Sequence, residues 1–240
     1  MSGGQETCAW LHDARAVYNA VYIVSVVITY LVPCEDCSVP CENRSFPSMA
    51  PITVRPPSTS SKPQPSFTSP EPTWLHGTWH VTHSTLPMWR TKRNVQITYT
   101  PIPKTNDIDD LVTYQELESD KVKSIRGVDK PSSMVPSAWD WRGKGWLMIA
   151  SSHWEILGYG EETVDHGEFG SVDDEPRGRQ KWAITFFSKT LFTPAGIDIY
   201  SQFPEGLRDE TVSEIKEALS TLGDADVEEL VGQIFKVASC

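Results

Sequence analysis

Three histidines fall within eight residues, His76, His80 and His83, a grouping whose ring nitrogens could hold a metal ion or move a proton. The surrounding string WLHGTWHVTHS alternates apolar and polar positions and predicts a strand. Successive side chains of a strand point to opposite faces, which sets His80 against His83 and denies them a shared ion. His83 shares its parity with Trp79 instead. It lies inside if that tryptophan does, as a general acid/base or a hydrogen-bond anchor; the alternative is a rim histidine with ordinary solvation. Ser151, His153 and Glu155 form a second set, with the residue types of a hydrolase triad. Alternate residues of one strand stand about 7 Å apart, too far for a nucleophile–base hydrogen bond, and no G-x-S-x-G turn occurs. A serine hydrolase is rejected. The three remain candidate polar anchors of a cavity, or members of a solvated outer face.

Aromatic residues supply the third set. Eight of the nine tryptophans lie between residues 74 and 203. Trp79, Trp89, Trp139, Trp141 and Trp154 are candidate walls for a flat, apolar guest, since indoles bury area and stack without charge; core plugs and rim packing are the alternative. Asp140 and Arg142 alternate with Trp139 and Trp141, as a charged outer face over an aromatic inner one, or as a buried pair orienting a guest carbonyl. There is no G-x-G-x-x-G, no G-x-x-x-x-G-K-[ST] and no H-E-x-x-H, which disfavours the common nucleotide- and zinc-dependent classes.

The elements that must position these groups are short. From Trp74 to Phe203 the strings RNVQITYTP, DLVTYQE, KVKSIRGV, SAWDWRG, GWLMIASS, HWEILGYG, KWAITFFSK and GIDIYSQF follow the first strand, separated by Gly- and Pro-containing turns. Eight or nine strands at hairpin spacing, with no helical period between them, predict an antiparallel meander. Closure into a barrel hides its edges; a sandwich is the alternative. The fold class is thus mainly β, an 8–9-stranded barrel over residues 74–203 with two C-terminal α-helices over 204–240. Thr211-x-x-Glu214 reads as a capping box for the first helix, with Val212, Ile215, Leu219 and Leu222 on one face. Asp224 caps the second, which buries Val227, Leu230, Val231, Ile234 and Phe235. The two pack on the barrel or form a dimerisation element.

The chain has 240 residues and a formal net charge of −11, which argues against nucleic-acid binding, since phosphate contacts need a basic face. Residues 161–180 hold seven acidic and two basic residues and read as a solvated loop rather than a cation site, whose oxygens would be regularly spaced. Cys8, Cys34, Cys37 and Cys41 precede residue 42 and Cys240 ends the chain, so the body suits a reducing compartment. Cys34, Cys37 and Cys41 lack a fourth ligand nearby, and no metal is expected. Residues 1–48 contain an apolar run at 16–32 with a sequon at Asn43; they read either as a mispredicted extension before Met49 or as a signal or anchor segment. A membrane is a partner only if 16–32 is retained, and the expected location is cytoplasmic, with secretion or anchoring as the alternative. Residues 49–73, with seven prolines and five serines between 51 and 72, read as a disordered lead.

Gly77-Thr78-Trp79 opens the first strand and resembles the G-x-W signature of lipocalins and related calycins. The strings GTWHVTHSTLPMW, KRNVQITYTP, RGKGWLMIASSHWEILGYG and KTLFTPAGIDIYS resemble lipocalin-like proteins of filamentous fungi, over roughly residues 74–237. The resemblance implies a barrel plugged at its closed end by Trp79 and a role in secondary metabolism, where some such proteins are cofactor-free pericyclases. It matches no catalytic motif residue by residue. The body lacks the disulfide usual in secreted lipocalins, and no segment matches the axial histidine of nitrobindin-type haem binders. The expected function is a cofactor-independent cyclase or isomerase acting on a small hydrophobic natural-product intermediate, with a non-catalytic carrier as the alternative. His83, His153 and Tyr99 are the candidates to polarise a carbonyl or move a proton. Trp79, Trp89, Trp139, Trp141, Trp154, Ser151 and Glu155 are the candidates to hold the ligand. A convergent polar set deep in the cavity favours the enzyme; a purely apolar pocket favours the carrier.

Overall fold

The computed structural model describes residues 51–63, 66–164, 178–191 and 193–239. The expectations placed on the apolar run, the sequon and the five cysteines, and on the centre of the acidic stretch, lie outside the described residues. Eight strands run up and down in sequence order: β1 (Gly77–Ser84), β2 (Lys92–Pro101), β3 (Ile108–Glu116), β4 (Val122–Pro131), β5 (Ala138–Gly143), β6 (Ser151–Val164), β7 (Gly178–Phe187) and β8 (Gly196–Ser201). Each pairs antiparallel with the next, β8 returns to β1, and β1 pairs with β2, so the sheet closes on itself and the sandwich alternative falls. Helices α1 (Asp209–Ser220) and α2 (Ala225–Val231) follow, then a two-residue strand β9 (Phe235–Lys236).

Alternation sorts the apolar residues into two cores. One is inside the barrel and includes Trp79, Val81, Ile97, Tyr99, Trp139, Trp154, Ile156 and Tyr200. The other lies outside, where Leu157, Trp182, Ile184, Phe186, Ile197 and Ile199 pack against Val212, Ile215, Leu219 and Val227 of the helices. The helices therefore cover the wall rather than an end. Asp224 caps α2, accepting from the Val227 N–H at 3.1 Å. The capping box at Thr211 does not form: the N-cap of α1 is Arg208, without a side-chain cap, and Thr211 is buried within the first turn.

Helix α2 also ends earlier than its pattern implies. β1 and β2 pair only through residues 77–80 and 96–99 and diverge above, leaving unpaired edge groups that need partners. Phe235 and Lys236 fill the gap, opposite Ser84 and His83. The Val237 N–H donates to the Thr82 carbonyl at 2.8 Å and the Asn94 N–H to the Ala238 carbonyl at 2.9 Å, with Asn94 at φ 52°. Tertiary pairing overrides the helical period here.

The Pro/Ser-rich lead departs furthest from expectation. Val54, Arg55, Pro56 and Pro57 are buried, and Val54 bridges Gly158 of β6. Gly158 makes this approach possible, because a Cβ there would stand 3.0 Å from Val54. The Arg55 N–H donates to the Leu157 carbonyl at 2.8 Å, and the Ser60 hydroxyl reaches Asp224 at the cap of α2. Low apolar content predicted an unpacked tether; specific ionic and backbone partners order the segment instead.

Candidate ligand cavity

The barrel is closed at the end where β1 begins. Gly77 has φ +116°, a backbone conformation that favours glycine, and the chain turns there from the 3-10 segment Pro72–Leu75 into β1. Trp79 is fully buried, donates its indole N–H to the Leu75 carbonyl at 2.7 Å, and packs on Trp74 with ring centroids 5.1 Å apart. Trp79 is the floor.

Toward the other end opens a cavity of about 310 Å³, within the range of small-molecule sites. Trp89, Tyr99, Trp141, Trp154, Ile97, Val112 and Phe187 line it, with Leu86, Met88, Leu147 and Ser152 nearer the mouth. Trp154 is the centre of a stack: Tyr99 lies 5.5 Å away at 21° and Trp139 4.5 Å away at 19°. Such parallel offset rings form a flat, rigid wall.

Into this aromatic interior β3, β4 and β8 carry three carboxyl groups. Asp110, Asp129 and Asp198 are buried, and Asp110 and Asp198 reach the cavity surface. Asp129 accepts the Trp154 indole N–H at 2.8 Å, and Asp198 accepts the Ser84 hydroxyl at 2.5 Å. Asp110 Oδ1 and Asp129 Oδ2 have no hydrogen-bond partner among the described residues. Burial pushes all three acids up. Asp110 is held well above the carboxylate range by desolvation first, then by the charge of Asp129 and of Asp109; the Trp141 indole offsets part of this. Asp129 is raised by desolvation against the Trp154 bond, and Asp198 rises to about 7 for the same reason. Burial and like charge raise both members of the pair, so the two carboxyls resist ionising together. Tyr99 and Tyr200, also fully buried, stay neutral phenols. Gly127, paired with Asp110 across β3–β4, leaves space for the Trp141 ring; a Cβ there would stand 2.0 Å from its Nε1. Among the described residues no group of three or more His, Cys, Asp or Glu is placed to hold a metal ion.

No family model matches the chain. It is 28% identical over 200 residues, 78% of its length and 84% of the other's, to "Botcinic acid biosynthesis cluster B protein 12" of Botryotinia fuckeliana (strain B05.10). Solved structures similar to it include apocrustacyanin C1, at 12% identity and a TM-score of 0.45 over 69% of this chain and 78% of that one. Another is the cockroach allergen Per a 4, at 13% identity and a TM-score of 0.49 over 75% and 94%. The closed up-and-down barrel with the G-x-W tryptophan as its floor decides the architecture. The fold is a closed, lipocalin-like barrel.

The lipocalin-like barrel distributes the residues nominated from sequence over both faces of its wall. Trp89, Tyr99, Trp141 and Trp154 line the cavity, and Ser151 lies at its mouth. Trp79 and Trp139 are buried behind it, as floor and as backing for Trp154. His83 does not share a face with Trp79. The register shifts between Val81 and His83, so Val81 pairs with the inward Tyr200 and His83 with the outward Ile199. This one-residue bulge reverses the parity. His83 faces α1, where burial, with Lys216 and Lys236, lowers its pKa to about 4. His153 also lies outside, bonded through Nδ1 to Asp140 at 2.8 Å. Glu155 is outside and completely buried beneath the N-terminal lead, paired with Arg55 at 2.6 Å. Asp140 and Arg142 form no pair: Asp140 holds His153 and Arg142 donates to the Met148 carbonyl at 2.9 Å.

Asp110, Asp129 and Asp198 were missed. Their signal was present: Asp110 shares parity with Ile108 and Val112, Asp129 with Ile125, and Asp198 with Tyr200. An acid on the apolar parity of a half-buried strand is the informative exception. A neutral carboxylic acid beside stacked indoles can donate a strong hydrogen bond to a guest oxygen, or transfer a proton to it, where water cannot compete.

Proposed function

We propose that this lipocalin-like barrel binds a small hydrophobic biosynthetic intermediate and promotes its cyclisation or isomerisation without a cofactor. The observation that carries the reading is Asp110, a buried carboxyl at the surface of an aromatic cavity, with a second buried carboxyl, Asp129, on the adjacent strand. The name of the biosynthesis-cluster relative supports a biosynthetic role. Tyr99, Trp154 and Trp141 hold a flexible guest in a reactive fold, supplying proximity. Asp110 donates to a carbonyl oxygen of the guest and stabilises the negative charge that develops there. Burial first, and then like-charge repulsion from Asp129, favour the neutral form of Asp110, the arrangement by which buried carboxyls serve as acids near neutral pH.

The test incubates the full chain with a linear, polyunsaturated carbonyl compound as the intermediate. Conversion is expected to exceed buffer by about 10²–10⁴-fold. Asp110→Val should retain binding of the intermediate and lose most of that gain. The rate should also fall as pH rises and the pair ionises, because the neutral acid is the working form. No gain over buffer overturns the catalytic reading. The carrier reading would then stand, favoured by the apolar upper cavity of Leu86, Met88, Ile125 and Phe187.

A further inference from the structure

Among the described residues, the exposed large apolar side chains are concentrated at one end. Among the described residues there are eight, and only Met134 stands at the closed end, on the β4–β5 connection. The other seven occupy the four connections that ring the mouth. Met88 precedes β2, Leu117 and Val122 flank the β3–β4 turn, Trp146, Met148 and Ile149 lie between β5 and β6, and Leu191 lies between β7 and β8. Trp146 is 85%, Ile149 81% and Leu191 95% exposed. Single exposed apolar residues need no explanation, but a ring of them around a cavity mouth does.

The charge of that ring is opposite to the charge of the chain. Residues 85–93, 116–123, 143–150 and 188–195 hold seven Lys or Arg and three Asp or Glu, a net +4 within a chain of net −11. Lys144 pairs with Asp109 of β3, which leaves the ring at +3; protruding Trp, Met, Ile and Leu with Arg90 and Lys189 among them are the composition that inserts into the headgroup region of an anionic bilayer, and an exposed indole favours that boundary. A second copy of this acidic chain would gain nothing from a cationic ring except against its own acidic surface, away from the mouth.

We propose that the mouth docks on anionic lipid membranes and that the hydrophobic guest passes between bilayer and barrel through the apolar ring. This extends the proposed ligand binding by giving the guest a route that avoids water. Met88 and Leu147 belong both to the ring segments and to the cavity lining, so the docking surface and the cavity are continuous.

The experiment uses the full chain with vesicles of phosphatidylcholine alone and of phosphatidylcholine with about one third phosphatidylserine, read by flotation and by hydrogen exchange resolved to peptides. Flotation is expected with the anionic vesicles and to weaken as salt rises. Exchange should slow in residues 143–150 and 188–195 and stay unchanged in 102–107 and 132–137 at the closed end. The triple variant Trp146→Ser/Ile149→Ser/Leu191→Ser should lose that protection and lower affinity by about tenfold or more, while Met134→Ser changes neither. Binding of uncharged N-phenyl-1-naphthylamine in the cavity should be the same in all variants, so loss of docking is told apart from loss of ligand binding. Absence of flotation, or flotation without protection at the mouth, overturns the proposal. So does concentration-dependent self-association abolished by the triple variant, which would assign the ring to a second copy.

Discussion

Two buried acidic clusters on opposite faces of the same barrel wall meet opposite fates. Outside, Glu155 receives the Arg55 guanidinium at 2.6 Å and both the N–H and the hydroxyl of Ser58 at 2.9 Å. Inside, Asp110 and Asp129 lie on adjacent strands with one oxygen apiece lacking a partner among the described residues, and burial with like charge favours their neutral forms. A compensated carboxylate is an anchor; an uncompensated pair, in a cavity, is chemistry held ready. The acids alone do not tell these cases apart. Their partners do, and the partner of Glu155 sits 100 residues away in a segment without strand or helix signals.

The largest effect should come from breaking the compensated cluster. Glu155→Ala leaves the Arg55 guanidinium buried without its counter-charge and should cost about 3–5 kcal/mol, read as a lower urea midpoint. The double variant Arg55→Met/Glu155→Leu should recover most of that loss. If Glu155→Ala costs no more than a surface substitution, the proline-rich lead is not pinned as described.

A smaller effect sharpens the inner side of the comparison. Asp198 is raised to about 7 by desolvation, with the Ser84 hydroxyl opposing. Its folded value exceeds its unfolded one, so its contribution to stability is complete below about pH 4 and is lost as pH rises toward 7. His83, lowered to about 4 mainly by burial, works in the opposite sense: its contribution is present above about pH 6.5 and lost as pH falls to about 4. The two slopes oppose each other in one window. Asp198→Asn should raise stability at pH 8 by about 1–3 kcal/mol and uncover the acid-side loss due to His83. A pH–stability profile unchanged by this substitution would contradict the burial of an ionisable group at 198.

The smallest effect belongs to His153. Its bond to Asp140 lies on the outer face, with Asp140 largely exposed. His153→Ala should change stability by less than about 0.5 kcal/mol and leave turnover of the intermediate intact. A large loss of turnover would move the chemistry from the cavity to the outer wall.

The two-residue rhythm from Trp74 to Phe203 and the turn residues specified an antiparallel meander, because alternation and turn chemistry are local properties; the tryptophan floor followed from the resemblance of the G-x-W triplet to the calycins, and closure over a sandwich from the structure. Local parity also set Trp139 and Trp141 together on an aromatic inner face and Tyr99 on one side with Val95 and Ile97, and left open which side of β6 looks inward. It failed for His83, since a single extra residue in β1 reverses every later assignment on that strand and leaves no mark in composition. The sequence by itself determined the strands, the wall of indoles and the acids set on apolar parities. Only the tertiary structure decided which buried acid would be neutralised by a distant arginine and which would be left with unpartnered oxygens on β3 and β4. It also decided that the proline-rich lead is ordered and that the chain end fills the β1–β2 seam. Each of these depends on which groups closure of the barrel leaves without water or a partner, and that is settled between elements far apart in the chain.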